Sequence, residues 1–395
     1  MRHRSLAHHM ADNSYITVTI GGDFAPLGRP EAMLLSGHST VDQLVGAVRP
    51  LFAQSDIGVV NLECPLIEGG TPISKEGPAI HAHPETTELL AGVGVHVATL
   101  ANNHIRDFGD AGVVKTISLC VGKGIRTVGA GLNLESARQP LYMGIRGRTV
   151  AFVNVAEQEY ANATPSRAGA NPLDLIDLLR DLHDARSRAD HVILIVHSGL
   201  ECVHCPSPES IKLLRFLAEQ GVTAVIRHHA HYVQGYEIWK GVPIFYSLGN
   251  LLFEEPSRSF PDWFWGLVVT LTIARDNTCA VQLHPVSHCE DAPAIMLLEG
   301  QSKGKALRDI AAYSGFISDE KLLAREWNAA LLSRREDYHA RLVMPSFFLL
   351  RICRRLGLKR FLHPSKWSSL LWLNYLRCAT HREALIDILR TDNYE

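Results

Sequence analysis

From Tyr15 onward, short β-branched apolar runs alternate with segments of helical period, and the runs end on residues able to bind metals. Tyr15–Ile20 (YITVTI), Asp56–Val60 (DIGVV), Val95–Leu100 (VHVATL), Ile125–Val128, Val192–Val196 (VILIV) and Val222–Ile226 (VTAVI) read as strands. VILIV is apolar on both faces, which predicts a central position. Helical spacing over Thr86–Ala91 and Asp110–Val121 separates the earlier runs. Before VTAVI, Ser207 reads as an N-cap, Pro208 as the first helical residue, and Ile211, Leu214 and Leu217 as one apolar stripe. This alternation predicts an α/β core. Ile238–Tyr246 and Leu267–Ile273 read as further strands with fewer helices between them, so a mixed sheet is expected.

The strand ends carry the chemistry. YITVTI leads to Asp23, DIGVV to Glu63, VHVATL to Asn102-Asn103-His104, VILIV to His197, and VTAVI to Arg227-His228-His229-Ala230-His231. Ligands of open α/β sheets bind at the carboxyl ends of strands, so one sheet edge should gather these side chains. Each alone has an ordinary structural explanation. Together they form a mixed nitrogen and oxygen set suited to Mn, Zn, Fe or Ni.

Composition excludes several other classes. The 39 basic and 41 acidic residues leave a net charge of −2, which argues against nucleic acid as a partner. No run of apolar residues is long enough to span a membrane, and the start lacks the apolar core of a secretion signal. Eight cysteines without disulfide-scaffold spacing fit a reducing, cytoplasmic location. Cys202-Val203-His204-Cys205 is a single C-x-x-C, weak evidence for a second metal or redox site.

Past residue 298 the pattern becomes helical, and residues 341–382 hold nine Lys or Arg and no Asp or Glu, interleaved with Phe347, Phe348, Trp367, Trp372 and Tyr375. The expected organisation is a catalytic domain over 15–297 and a basic helical extension over 298–395. That stretch either packs on the domain or makes a peripheral membrane or biosynthetic-complex contact.

GGDFAPLGR (21–29), DIGVVNLECPL (56–66), ATLANNHIRDFGDAGV (98–113), VHSGLE (196–201) and HHAHYVQGYEIWKGVPIFYSLGNLLFE (228–254) occur in an order that resembles the CapA family of poly-γ-glutamate capsule proteins, itself similar to calcineurin-like metallophosphatases. The resemblance implies a four-layer α/β/β/α metallophosphatase-like sandwich holding two divalent metal ions at one end. It assigns the ligand positions to Asp23, Glu63, Asn103, His197, His229 and His231, with Glu63 where a bridging Asp is usual. It gives His104 and Asp107 catalytic roles and places Asn102, Arg227, His228 and Asn250 around the substrate. Departures from the pattern are Ala25 in place of the His of an Asp-x-His start, Arg227 in place of Gly, and Ser198 in place of Trp. By the same resemblance, the family's usual amino-terminal membrane anchor is expected to be missing.

The function expected is a metal-dependent, phosphoesterase-like hydrolase acting on an anionic polymer or phosphoester in capsule, poly-γ-glutamate or polysaccharide synthesis. The alternatives are an amide-bond-forming or peptide-processing enzyme and a non-catalytic scaffold of envelope-polymer assembly.

Overall fold

Alternate residues of an extended strand face opposite sides, and here both sides are apolar, so each sheet must be covered twice. In this computed structural model, which describes residues 14–255, 260–341 and 366–394, that requirement yields four layers. The strands in chain order are β1 (Tyr15–Ala25), β2 (Ile57–Leu62), β3 (Val97–Thr99), β4 (Arg126–Val128), β5 (Ala130–Gly131), β6 (Leu141–Ile145), β7 (Arg148–Ala156) and β8 (Gly169–Ala170). They continue as β9 (His191–His197), β10 (Ala224–His228), β11 (Tyr236–Trp239), β12 (Val242–Phe245), β13 (Asn250–Phe253), β14 (Trp265–Ala274), β15 (Cys279–His288) and β16 (Ile295–Leu297). Apart from the two-stranded ribbon of β5 and β8, there are two large sheets, one of order β16-β15-β14-β1-β2-β3-β4 with β13 also on β1, the other β11-β12-β10-β9-β7-β6. Both are mixed, and VILIV is central in the second.

Ile16, Val18, Ile57 and Val59 of the first sheet meet Phe152, Ile193, Ile195 and Ile226 of the second in a dry core between them. The outward residues Val60, Leu62 and Ala98 pack beneath helices bearing Val45, Phe52, Leu90 and Val113. Outward Leu194 and Val225 of the second sheet pack against Leu178, Leu182, Ile211 and Leu214. The result is the expected α/β/β/α sandwich.

The first strand runs further than YITVTI. It pairs antiparallel with β14 through Ile20↔Val269, then changes partner and pairs with β13 from Asp23↔Asn250. Gly22 makes the exchange possible, because a Cβ there would meet the Gly249 carbonyl oxygen at 2.1 Å. Ile238–Tyr246, read as one strand, is a hairpin: Lys240 and Gly241 take φ of 51° and 91°, which turns β11 into β12. The apolar run hid that turn because a Lys-Gly pair is a weaker signal than Asn-Gly.

The segment beyond Gly300 forms helices at Gly300–Ser318, Glu320–Arg341, Lys366–Arg377 and Ala379–Tyr394. Ile317, Leu323, Trp327, Leu331, Tyr375 and Ile388 join the outer core of the second sheet. Phe347 and Phe348, with most of the basic stretch and the first 13 residues, lie outside the described residues. Among the described residues no helix is long and apolar enough to cross a membrane.

Ser207 caps Pro208–Ala218 as expected, accepting from Ser210 N, and its hydroxyl donates to Glu383 Oε2 at 2.6 Å. Burial, helped by the nearby Asp387 and Glu209 charges, pushes the Glu383 carboxyl up to about 7 against the lowering effect of the Ser207 bond. A raised acid pKa means the folded state holds the proton more tightly. This contribution to stability is therefore complete below the ordinary carboxyl value and fades as pH rises toward about 7. Glu383→Gln should match the native protein near pH 4.5 and exceed its stability at pH 8, by at most about 3 kcal/mol, in urea unfolding at the two pH values. Equal curves at both would show that the carboxyl carries no such penalty.

Candidate metal centre

The cluster forms where the carboxyl ends of strands from both sheets meet, rather than along one sheet edge. Asp23 comes from β1, Asn61 and Glu63 from the end of β2, Asn103 from the turn after β3, His197 closes β9, and His229 and His231 follow β10. Asp23 and Glu63 are fully buried, and His197, His229 and His231 nearly so. His229 and His231 adopt φ of 94° and 56°, a costly conformation for residues with a Cβ. Asp23 Oδ2 helps hold that turn by accepting the His229 backbone N–H at 3.1 Å.

Glu63 lies at the centre. Its Oε1 is 3.3 Å from His197 Nε2, 3.8 Å from His231 Nε2 and 4.0 Å from His229 Nδ1. Yet Glu63 Oε1 and His229 Nδ1 are buried without a hydrogen-bond partner. Burial alone would raise the Glu63 pKa, but the close approach of His197, His231 and His229 holds it well below the usual carboxylate range. His229 shows the reciprocal effect: burial opposes its charge, but Glu63, Glu201 and Glu159 outweigh it and push the imidazole up to about 10.

These atoms make two overlapping groups that could hold a metal, Asp23/Glu63/His197 and Glu63/His229/His231, each with ligand atoms within 4.8 Å of one another. The surroundings fit cations. His231 Nδ1 lies 3.0 Å from Asn250 Oδ1, and donating its proton there leaves Nε2 with a free lone pair toward Glu63. Trp263 packs on the same ring at 4.4 Å between centroids. Asn103 Oδ1 sits 3.0 Å from His197 Nε2, within reach of the shared volume.

Two of the residues expected near substrate are engaged elsewhere. Asn102 accepts from the backbone N–H groups of His104 and Ile105 and donates to Leu62 O, so it shapes the turn that carries His104. Arg227 projects to the helix side of β10, where its guanidinium donates to Tyr246 O and Gln234 Oε1. Strand alternation separates it from His228, which faces the cluster with Nδ1 3.1 Å from Asp23 Oδ1. Cys202-Val203-His204-Cys205 assembles no metal group among the described residues. Its His204 stacks between Tyr232 and Tyr313 and contacts Val233 O and Asp262.

His104 and Asp107 form a pair, Nδ1 to Oδ2 at 2.7 Å. Sequence reasoning missed Lys75, whose buried ammonium donates to Asp107 Oδ1 and lies 3.1 Å from His104 Nδ1. Burial would raise the Asp107 pKa, but His104 and Lys75 lower it. Asp107 Oδ2 also accepts the Ile80 N–H, which ties the long 67–82 loop to His104. Asn61 was missed as well. It donates to Asp23 Oδ1 at 2.8 Å and lies 3.3 Å from His197 Nδ1, and its place near the end of β2, two residues before Glu63, was the available signal. Glu159 and Glu201 approach His229 Nε2 at 4.0 and 3.9 Å from loops with no periodic pattern.

The family described as "Bacterial capsule synthesis protein PGA_cap" matches residues 17–255. Capsule biosynthesis protein CapA of Bacillus anthracis is 30% identical over 291 residues, covering 71% of this chain and 70% of that one. PGA biosynthesis protein CapA of Bacillus subtilis (strain 168) is 26% identical over 289 residues, covering 71% and 75%. A probable polyglutamine synthesis accessory protein of Mycobacterium tuberculosis is 27% identical over 251 residues, covering 59% and 66%.

Proposed function

The chain belongs to the bacterial capsule synthesis protein family, and from that premise we propose that it is a metal-dependent hydrolase, phosphoesterase-like, acting on an anionic polymer or its phosphoester precursor in capsule or poly-γ-glutamate synthesis. The observation that carries the reading is the orphaned Glu63 Oε1, a buried anionic oxygen shared by two groups of metal-binding type. A buried charge without a hydrogen-bonded partner is costly, and a cation removes that cost.

Asp23, Glu63, His197, His229 and His231 would hold the ions, with Asn103 completing the His197 side. When bound, a pair of divalent cations supplies activation of water and stabilisation of charge on the reacting oxygens. The chain's own residues do the rest. Asp107 holds His104 by Nδ1, which leaves Nε2 to give a proton to the leaving oxygen. Lys75 fixes Asp107 from the other side, so the ring cannot swing. Asn250 and Asn61 orient His231 and Asp23. Trp263 and Phe253 wall the His231 side against water.

Asp23→Ala and His231→Ala should each lower turnover of a chromogenic phosphoester by at least about 1,000-fold and reduce bound metal, with an unchanged circular dichroism spectrum. Full activity in either variant would remove the assignment.

A further inference from the structure

Outside the cluster, the sharpest unresolved polar feature is a pair of arginines. Among the described residues, Arg377 Nε and Nη2 and Arg167 Nε are buried with no hydrogen-bond partner. Arg377 lies near the end of helix Lys366–Arg377, and its guanidinium stacks over the Tyr160 ring at 4.5 Å. The Tyr160 hydroxyl donates to Leu370 O in that same helix, which fixes the platform. Burial lowers the Arg377 pKa, and the neighbouring Arg167 charge lowers it further, while Tyr160 and Glu159 oppose the shift. Arg167 Nη2 donates to Asn162 O, two residues beyond Tyr160, at 2.9 Å, so the idle Arg167 Nε and the idle Arg377 Nε and Nη2 lie beside the same 160–162 segment.

That region adjoins the metal centre. Residues 157–160 run off the carboxyl end of β7, and Glu159 Oε1 is 4.0 Å from His229 Nε2. Glu157 accepts from Thr380 N and Oγ1 and from Gly199 N, so it joins the loop after His197 to the start of helix Ala379–Tyr394. The carboxy-terminal helices therefore stand beside the candidate site.

We infer that Arg377 and Arg167 form a subsite for an oxyanion of the substrate, a carboxylate or a phosphate, at the rim of the candidate metal centre. Guanidinium forks pair with both groups in bidentate fashion, and an oxyanion would satisfy donors the protein leaves idle. Tyr160 supplies a flat support on which the Arg377 guanidinium is held. The inference rests on the proposed anionic substrate but not on hydrolysis.

The test uses the full chain and two probes, a γ-linked glutamate pentamer and inorganic phosphate, titrated by calorimetry into the native protein and Arg377→Met. We expect Arg377→Met to weaken the probe that binds by at least about tenfold, with metal content unchanged. The probe affected identifies the oxyanion as carboxylate or phosphate. Arg167→Met should weaken the same probe, and it provides the test if Arg377→Met fails to fold. Equal affinity of native and variant proteins for both probes, or no binding of either to the native protein, would overturn the subsite. Pentamer binding through Arg377 without turnover of any ester would keep the subsite and remove the hydrolase reading.

Discussion

Glu63→Gln is expected to weaken metal binding by at least about 100-fold and to abolish turnover, although it keeps the shape of the side chain. Both metal-capable groups include Glu63, so one substitution damages both at once. The amide also places a neutral oxygen or an NH2 among His197, His229 and His231, whose ring nitrogens lie within 4.0 Å of Oε1. Losing the charge should outweigh any relief of burial, because the protein already holds this carboxyl in its ionised form. Competition with a chromogenic chelator measures the affinity. Wild-type affinity in Glu63→Gln would mean that the metal, if bound, sits elsewhere.

Trp327→Ala should cost about 3–5 kcal/mol of stability, the range seen for large aromatic truncations in cores. Trp327 is 2% exposed in the outer core of the second sheet, and its Nε1 donates to Asp387 Oδ2 at 3.0 Å, which joins helix Glu320–Arg341 to helix Ala379–Tyr394. Trp327→Phe keeps most of the buried aromatic area and removes the hydrogen bond to Asp387. Its cost should be about 1–2 kcal/mol by urea unfolding. Near-native stability of Trp327→Ala would show that these helices bury little against the domain.

Much of the fold was legible because its signals are local. The strand runs, the Ser207-Pro208 helix start and the chemistry at strand ends all depend on a few consecutive residues. What stayed hidden is what tertiary contact decides. No pattern in residues 67–82 marks Lys75, because its value comes from meeting Asp107 across 32 positions. The resemblance placed Arg227 around the substrate, yet alternation along β10 turns it to the face opposite His228, where it meets Tyr246 O and Gln234. The extension was visible as helical and basic, but its burial against Ile211 and Leu214 required the partner surface. The meeting of two sheets at one site likewise followed from family resemblance, not from the pattern of any single run.

The most direct test of the metal-centre account is metal content by mass spectrometry on the purified full chain, paired with a phosphoester assay across added Mn, Zn and Ni. The account predicts about one to two equivalents of bound metal per chain and turnover that disappears with chelator. Folded protein with no bound metal, before and after loading, would contradict it.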